Sequence, residues 1–269
     1  MKKTKIIAVH NIKGGMGKTA ITTILASYLC YINKQRVIVF DVDDGQHSIS
    51  KHRDSELTML KRIETVANSG DIDSISLLNQ QSAFRSGIVR FEYNRQEGIT
   101  AKDFYPIIDS SEEQLATKQF MDGEYDYIFI DMGGRVNENI TRILAMCDLI
   151  VVPFGTQSLE LKTSSDYLRL LRNSFLSGQL PPSIQIVAFW NRYQEMYKFA
   201  AAEVERTITP QVMGSFFKGF LSTKLALAQS GFDKNIMLTT ISSPLLIKGG
   251  DYQTAFPSFC QELVAHLDK

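Results

Sequence analysis

Neither sign of charge is in excess here: 29 basic residues face 29 acidic ones over 269 positions. The chain therefore lacks the whole-protein positive potential with which nucleic-acid binders gather phosphates, and any such contact must come from a local patch. Cysteine is scarce as well. Cys30, Cys147 and Cys260 are odd in number, far apart and set in apolar sequence, which argues against a disulfide framework or a Cys-x-x-Cys metal site and for core thiols in a reducing compartment. No run reaches the roughly 18 consecutive apolar residues of a membrane span. The stretch Ile6 to Val9, behind the basic Met1-Lys2-Lys3-Thr4-Lys5, is too short for a signal-peptide core. A soluble, cytoplasmic protein is the expectation. No repeat, low-complexity tract or linker divides the chain, and no helix-turn-helix precedes the first apolar strand, so operator reading by an N-terminal extension is not expected.

With 44% apolar residues the chain can bury a sizeable core. Short apolar runs read as strands at Ile6 to His10, Arg36 to Phe40, Tyr127 to Ile130, Leu149 to Val152, Ile184 to Trp190 and Ile236 to Ile241. Helical periodicity follows them over Lys18 to Asn33, from Asp131 to about Met146, over Leu159 to Phe175, from near Tyr193, and over Ser258 to Leu267. Strands that alternate with helices pair in parallel through crossovers, so the expected fold is α/β: one doubly wound, mostly parallel sheet with helices on both faces, a single domain over 1–269. Residues 53–124 carry the weakest signal, with a short strand expected at Ile88 to Tyr93.

The chemistry concentrates behind the first strand. Lys13-Gly14-Gly15-Met16-Gly17-Lys18-Thr19 opens a helix. A glycine turn lets backbone N–H groups converge on phosphate oxygens, and the helix N-terminus favours an anion. The expected nucleotide contacts are Gly14, Gly15, Met16, Gly17, Lys18, Thr19 and Ala20, with Lys18 on the β- and γ-phosphates of ATP and the Thr19 hydroxyl on Mg²⁺. The strict pattern Gly-x-x-x-x-Gly-Lys-Ser/Thr would need glycine at position 12, and Ile12 stands there, followed by the extra Lys13.

Lys13 to Thr19 resembles the deviant Walker A motif of the ParA/MinD family of ATPases. Asp41-Val42-Asp43 closes the next strand as that family's Asp-x-Asp does, Tyr127-Ile-Phe-Ile-Asp131 resembles its Walker B strand, and Cys147-Asp148-Leu-Ile-Val-Val-Pro153 matches a later step. Asn191-Arg192 stands where relatives read adenine. The resemblance implies a homodimer that sandwiches two ATP molecules. Lys13 would cross to the partner's phosphates, Asp43 would orient the attacking water, and Asp41 and Asp131 would hold the magnesium hydration shell. Lys13, Lys18 and Asp43 form the catalytic set, and Thr19, Asp41 and Asp131 the metal set. Taken alone, Asp41 and Asp43 suit a solvated strand-end turn equally well, and Asn191 a turn former.

Three departures bear on rate: Ala20 where relatives carry a hydroxyl, Asp44-Gly45-Gln46 after the Asp-x-Asp, and Met132-Gly133-Gly134 in place of a proline turn. They suggest slow hydrolysis. From 206 to 250 the basic residues Arg206, Lys218, Lys224, Lys234 and Lys248 outnumber the one acid, Asp233. This is the candidate DNA contact, with a solvated face as the alternative; Phe216, Phe217 and Phe220 nearby suit core or interface better than base stacking. The closing helix lacks the basic stripe of a membrane anchor. The expected role is an ATP-driven switch for plasmid or mobile-element DNA, working with an adaptor or centromere-binding protein. The alternative is a nucleotide-controlled interaction protein of a conjugation or secretion system that does not touch DNA.

Overall fold

A computed structural model describes residues 3–43, 47–69, 82–120, 122–191, 193, 195–212, 216–222, 239–244 and 252–267, with the backbone alone for 82–86, 195 and 252–256. Asp44, Gly45, Gln46 and Arg192 lie outside the described residues, as do Lys224, Asp233, Lys234 and Lys248. In chain order the elements are β1 (Lys5–Val9), α1 (Lys18–Ser27, continued by a π turn over Tyr28–Ile32), β2 (Val37–Asp41), α2 (Ser48–Ser69), α3 (Ser82–Glu97), β3 (Ile107–Asp109) and α4 (Glu112–Ala116). There follow β4 (Tyr127–Asp131), α5 (Glu138–Ala145), β5 (Leu149–Phe154), α6 (Ser158–Leu176), β6 (Gln185–Trp190), α7 (Lys198–Val212), β7 (Phe217–Phe220) and α8 (Tyr252–Leu267).

The strands form one sheet in the order β3-β2-β4-β1-β5-β6-β7, every pair parallel. Continuous apolar strands such as Tyr127–Asp131 are buried along their whole length because helices cover both faces. Alternation sorts their side chains. Ile7, Val9, Val39 and Phe129 join Ile21, Leu25, Phe259 and Leu263 on the α1 and α8 face, whereas Ala8, Phe40, Ile130 and Trp190 join Ile143, Tyr167, Leu168 and Val212 on the α5, α6 and α7 face. The chain runs from β1 outward to β2 and later returns to place β5 on β1's other flank. That reversal opens a crevice beyond the carboxyl end of β1, where open α/β sheets take their ligands.

The doubly wound sheet expected from the sequence is present, and four local expectations need correction. Ile88 to Tyr93 is helical, inside α3. Its β-branched and aromatic residues are overridden by packing: a Cβ at Gly87 would lie 2.5 Å from Met59 Sδ, so the two helices approach too closely there for any side chain, and Arg90 pairs with Glu56 of α2 at 2.7 Å. Thr239–Ile241 is not strand; the described part of that segment is pinned irregularly by side chains, and 236–238 lies outside the described residues. The helix expected to begin near Tyr193 begins at Lys198, after a 3-10 turn over Glu195–Tyr197, and the closing helix starts at Tyr252 and runs through Pro257.

The first turns of α2 tie it to the sheet and to a distant loop. Its N-terminus donates the backbone N–H groups of Ile49 (2.9 Å) and Ser50 (3.3 Å) to Asp41 Oδ2, so a strand-end carboxylate caps this helix. Two turns on, the buried Glu56 accepts from Arg90 and, through its other oxygen, from the Thr240 backbone at 2.7 Å. Arg53 donates to Thr240 and to the Tyr105 carbonyl. This junction staples 239–244 across α2 and α3. All three cysteines are free thiols, Cys147 and Cys260 buried, as their apolar settings suggested. No helix among the described residues is long and apolar enough to cross a membrane.

A candidate nucleotide site at the carboxyl edge of the sheet

The loop between β1 and α1 is held from behind. Asn11 donates through Nδ2 to the Pro153 carbonyl and to Ser164 Oγ, both at 2.8 Å, and its Oδ1 accepts the Lys13 backbone N–H at 2.9 Å. The loop is thereby tied to β5 and α6 before it turns. Gly15 (φ 74°) and Gly17 (φ 83°) adopt the left-handed conformation that only glycine takes without strain. Gly17 is the N-cap of α1 and supplies no side-chain acceptor. The first N–H groups of α1 thus have no side-chain cap, the arrangement that receives an anion at a helix N-terminus.

Lys18 is nearly buried, and its Nζ reaches back to the Lys13 carbonyl at 3.5 Å. Burial lowers its pKa, while Asp131 and Asp43 pull the other way. Asp41 and Asp131 are register partners on β2 and β4, both fully buried. Among the described residues Asp131 has no hydrogen-bond partner on either oxygen, and burial pushes its carboxyl up to about 7; nearby Thr19 favours the charged form and Asp41 opposes it. Asp41 has one oxygen on α2 and the other, Oδ1, unpartnered. An orphaned buried carboxylate is expensive, and a hard cation beside Thr19 is the partner that this oxygen donor set fits.

Asp43 rests on the loop after β4: a Cβ at Gly133 would lie 3.1 Å from Asp43 Oδ1, and one at Gly134 would lie 2.8 Å from the Ile12 carbonyl oxygen. Gly134 thus leaves no room for a side chain against the backbone that leads into the phosphate loop, and Gly133 leaves little against Asp43. Met16 is buried, and its carbonyl accepts from Asn191 Nδ2 at 2.9 Å. Asn191 therefore braces the phosphate loop from β6; a Cβ at Gly17 would meet the same amide at 2.7 Å. Gly14 and Gly15 are exposed, Lys13 and Ala20 half-buried.

The sequence-predicted residues thus converge on one crevice: Lys13 to Ala20, Asp41, Asp43, Asp131 and Asn191 surround the carboxyl ends of β1, β2, β4 and β6, with Arg192 outside the described residues. The candidate DNA segment gathers less. Arg206 is committed to Glu203 at 2.7 Å, and Phe216 and Phe217 are buried. Phe220 stacks on Trp190 with centroids 5.4 Å apart, so these aromatics are core. Sequence reasoning missed Asn11, His10 and Tyr167 behind the loop. It also missed His47 and Asp109, which bring ligand-type atoms within 4.8 Å of one another and of Asp41. Only His10 and Asn11 carried a signal, as polar residues ending a buried strand.

Comparison with known proteins agrees with the fold. A sequence model of a family described as AAA domain matches residues 4–174. The sporulation initiation inhibitor protein Soj of Bacillus subtilis is 24% identical over 168 residues, 62% of this chain; the match spans 65% of Soj, just under two-thirds of its length. Among solved structures, a putative plasmid partition protein of Borrelia burgdorferi B31 bound to AMPPNP superposes with a TM-score of 0.54 at 20% identity, covering 98% of this chain and 99% of that one. The pNOB8 ParA structure gives 0.56 at 16% identity with the same coverage, and its complex with nonspecific DNA 0.50 at 16%, again over 98% and 99%.

Proposed function

This chain belongs to the AAA-domain family matched over residues 4–174, and we propose that it is a P-loop ATPase of the ParA/MinD kind that binds Mg-ATP, closes as a nucleotide-sandwich homodimer and serves as a slowly hydrolysing switch in the partition or positioning of plasmid or mobile-element DNA. The observation that carries the reading is the pairing of an uncapped α1 N-terminus behind Gly14 to Gly17 with the orphaned carboxylate of Asp131 and the buried amine of Lys18. Donors for a polyphosphate and acceptors for its counter-cation face one crevice. In this reading the loop N–H groups and Lys18 would bind the β- and γ-phosphates, and Thr19, Asp41 and Asp131 would hold magnesium, which would supply charge neutralisation. Asp43, seated on Gly133, orients the attacking water. Lys13, on the outward rim of the loop, reaches the partner's phosphates. Asn191, whose amide donates to the Met16 carbonyl, lies beside the loop where it reads the base.

The DNA arm of the proposal draws on the pNOB8 ParA complex with nonspecific DNA, and an adaptor or centromere-binding protein would link the switch to its cargo. The pairing of Arg206 with Glu203 favours a second reading, a nucleotide-controlled interaction protein of a conjugation or secretion system without DNA binding. Light-scattering mass measured with and without Mg-ATP on an Asp43→Ala variant, repeated with random duplex DNA, separates the two. A dimer that forms only with ATP and then loads DNA in a salt-sensitive way supports partition. A dimer that ignores DNA supports the second reading, and a monomer throughout removes the sandwich.

A further inference from the structure

His10 directly follows β1 on the way to the phosphate loop and is wholly buried, yet it is no part of the nucleotide-binding set. Both ring nitrogens are engaged. Nε2 lies 3.1 Å from the Gly133 carbonyl oxygen, and Nδ1 lies 2.5 Å from the hydroxyl of Tyr167, itself fully buried on α6. A carbonyl oxygen only accepts, so Nε2 carries the proton and Nδ1 is the lone-pair nitrogen that receives the Tyr167 O–H. The ring is thus a neutral, direction-fixed link from α6 to the loop after β4. His10 and Tyr167 also meet edge to face, centroids 5.2 Å apart, which holds the ring plane.

The far side of Gly133 is the seat of Asp43, where a Cβ on that glycine would come within 3.1 Å of Asp43 Oδ1, while Gly134 lies against the carbonyls of Ile12 and Asn11. Gly133 thus meets the imidazole through its carbonyl and also lies beside the carboxylate assigned to the attacking water. We propose that His10, oriented by Tyr167, is a positioning residue for hydrolysis: it fixes the Gly133 carbonyl and so sets the height and direction of Asp43 above the phosphate loop. This rests on the ATPase reading. It adds a dependence on α6, whose Tyr167 hydroxyl is turned to His10 and has no part in the phosphate or metal sets. Because the link governs a carboxylate rather than the phosphate cradle, it acts on turnover and leaves ATP affinity intact.

The test uses the full chain with four variants: Tyr167→Phe, which removes one oxygen, His10→Gln, which keeps an amide donor toward Gly133, His10→Leu, which keeps none, and the double variant Tyr167→Phe with His10→Leu. Nucleotide affinity is measured with a fluorescent ATP analogue and hydrolysis in single turnover. Since misplacement of a reacting group by about an ångström can cost up to a hundredfold, Tyr167→Phe and His10→Leu are expected to slow hydrolysis roughly ten- to a hundredfold, with affinity within about twofold of wild type. His10→Gln should recover most of the rate, and the double variant should be no slower than His10→Leu alone. Wild-type hydrolysis with unchanged rates in Tyr167→Phe and His10→Leu overturns this proposal and leaves the ATPase reading standing, as does loss of affinity in parallel with rate. Absence of hydrolysis in wild type overturns the ATPase reading and this inference together.

Discussion

Burial of a neutral histidine has a consequence for stability that needs no nucleotide. Desolvation, with Lys18 adding to it, lowers the His10 pKa from 6.5 to about 4, against a smaller opposing pull from the Gly133 and Arg135 backbones. An unfolded chain therefore takes up this proton more readily than the folded one. The stability that His10 contributes is fully present above the unfolded value of 6.5 and is lost as pH falls toward 4. At about 1.4 kcal/mol per unit, moving from about pH 7.5 to about pH 4.5 should remove about 2.5 kcal/mol. The groups around His10 do not mimic this. Tyr167 ionises well above its ordinary value. Asp131, across Lys18, works in the opposite sense: its raised pKa, about 7, makes stability fall as pH climbs from about 4 to 7. The wild-type profile alone is therefore a near-cancellation. The informative quantity is the difference between wild type and His10→Gln in urea unfolding at the two pH values. Wild type should lose about 2 to 3 kcal/mol relative to the variant on acidification. Parallel profiles would refute the neutral, doubly bonded imidazole.

The same geometry sets three further outcomes. Lys18→Ala should abolish tight Mg-ATP binding by calorimetry, whereas Lys13→Ala should bind ATP and fail to dimerise; a Lys13 variant that still doubles its scattering mass with ATP would remove the trans role. Glu56→Ala leaves Arg90 buried and the Thr240 N–H without its acceptor, so it should cost about 3 to 5 kcal/mol in urea unfolding, and a cost under about 1 kcal/mol would show that 239–244 is not stapled there. Gly134→Ala, its new Cβ 2.8 Å from a carbonyl oxygen, should destabilise by about 1 to 3 kcal/mol, while Gly14→Ala, which meets nothing within 4 Å, should leave the unfolding midpoint unchanged.

The central sheet was legible because its strands are buried on both faces: Tyr127-Ile-Phe-Ile and Leu149-Ile-Val-Val can be little else when turns and helices flank them. The edges were not. β3 and β7 span only Ile107–Asp109 and Phe217–Phe220, the second interrupted by Lys218 and Gly219, too short and mixed for any period to emerge. α3 was misread because its neighbour chose for it: Arg90 and Gly87 make sense only beside Glu56 and Met59 on α2. The crevice residues were readable since the phosphate loop, Asp41 to Asp43 and Asp131 each end a strand. The supports were not, because Ser164, Tyr167 and Thr240 become relevant only through contacts more than 150 residues away in sequence.

The same division of labour makes the proposed metal set asymmetric. Asp41 and Asp131 sit side by side in register, equally buried, yet only Asp41 has structural work: Oδ2 caps α2 while Oδ1 stays unpartnered. Capping supplies two N–H donors, which favour its charged form and partly offset the desolvation that raises its pKa. Asp131 has no such backbone help, and the Asp41 charge beside it makes ionisation harder still. Lys18, the amine nearest in effect, is itself weakened by burial. The folded chain thus carries one carboxylate stabilised by its own backbone and a second that a cation would complete. A ligand that brings positive charge to Asp131 would relieve that cost directly.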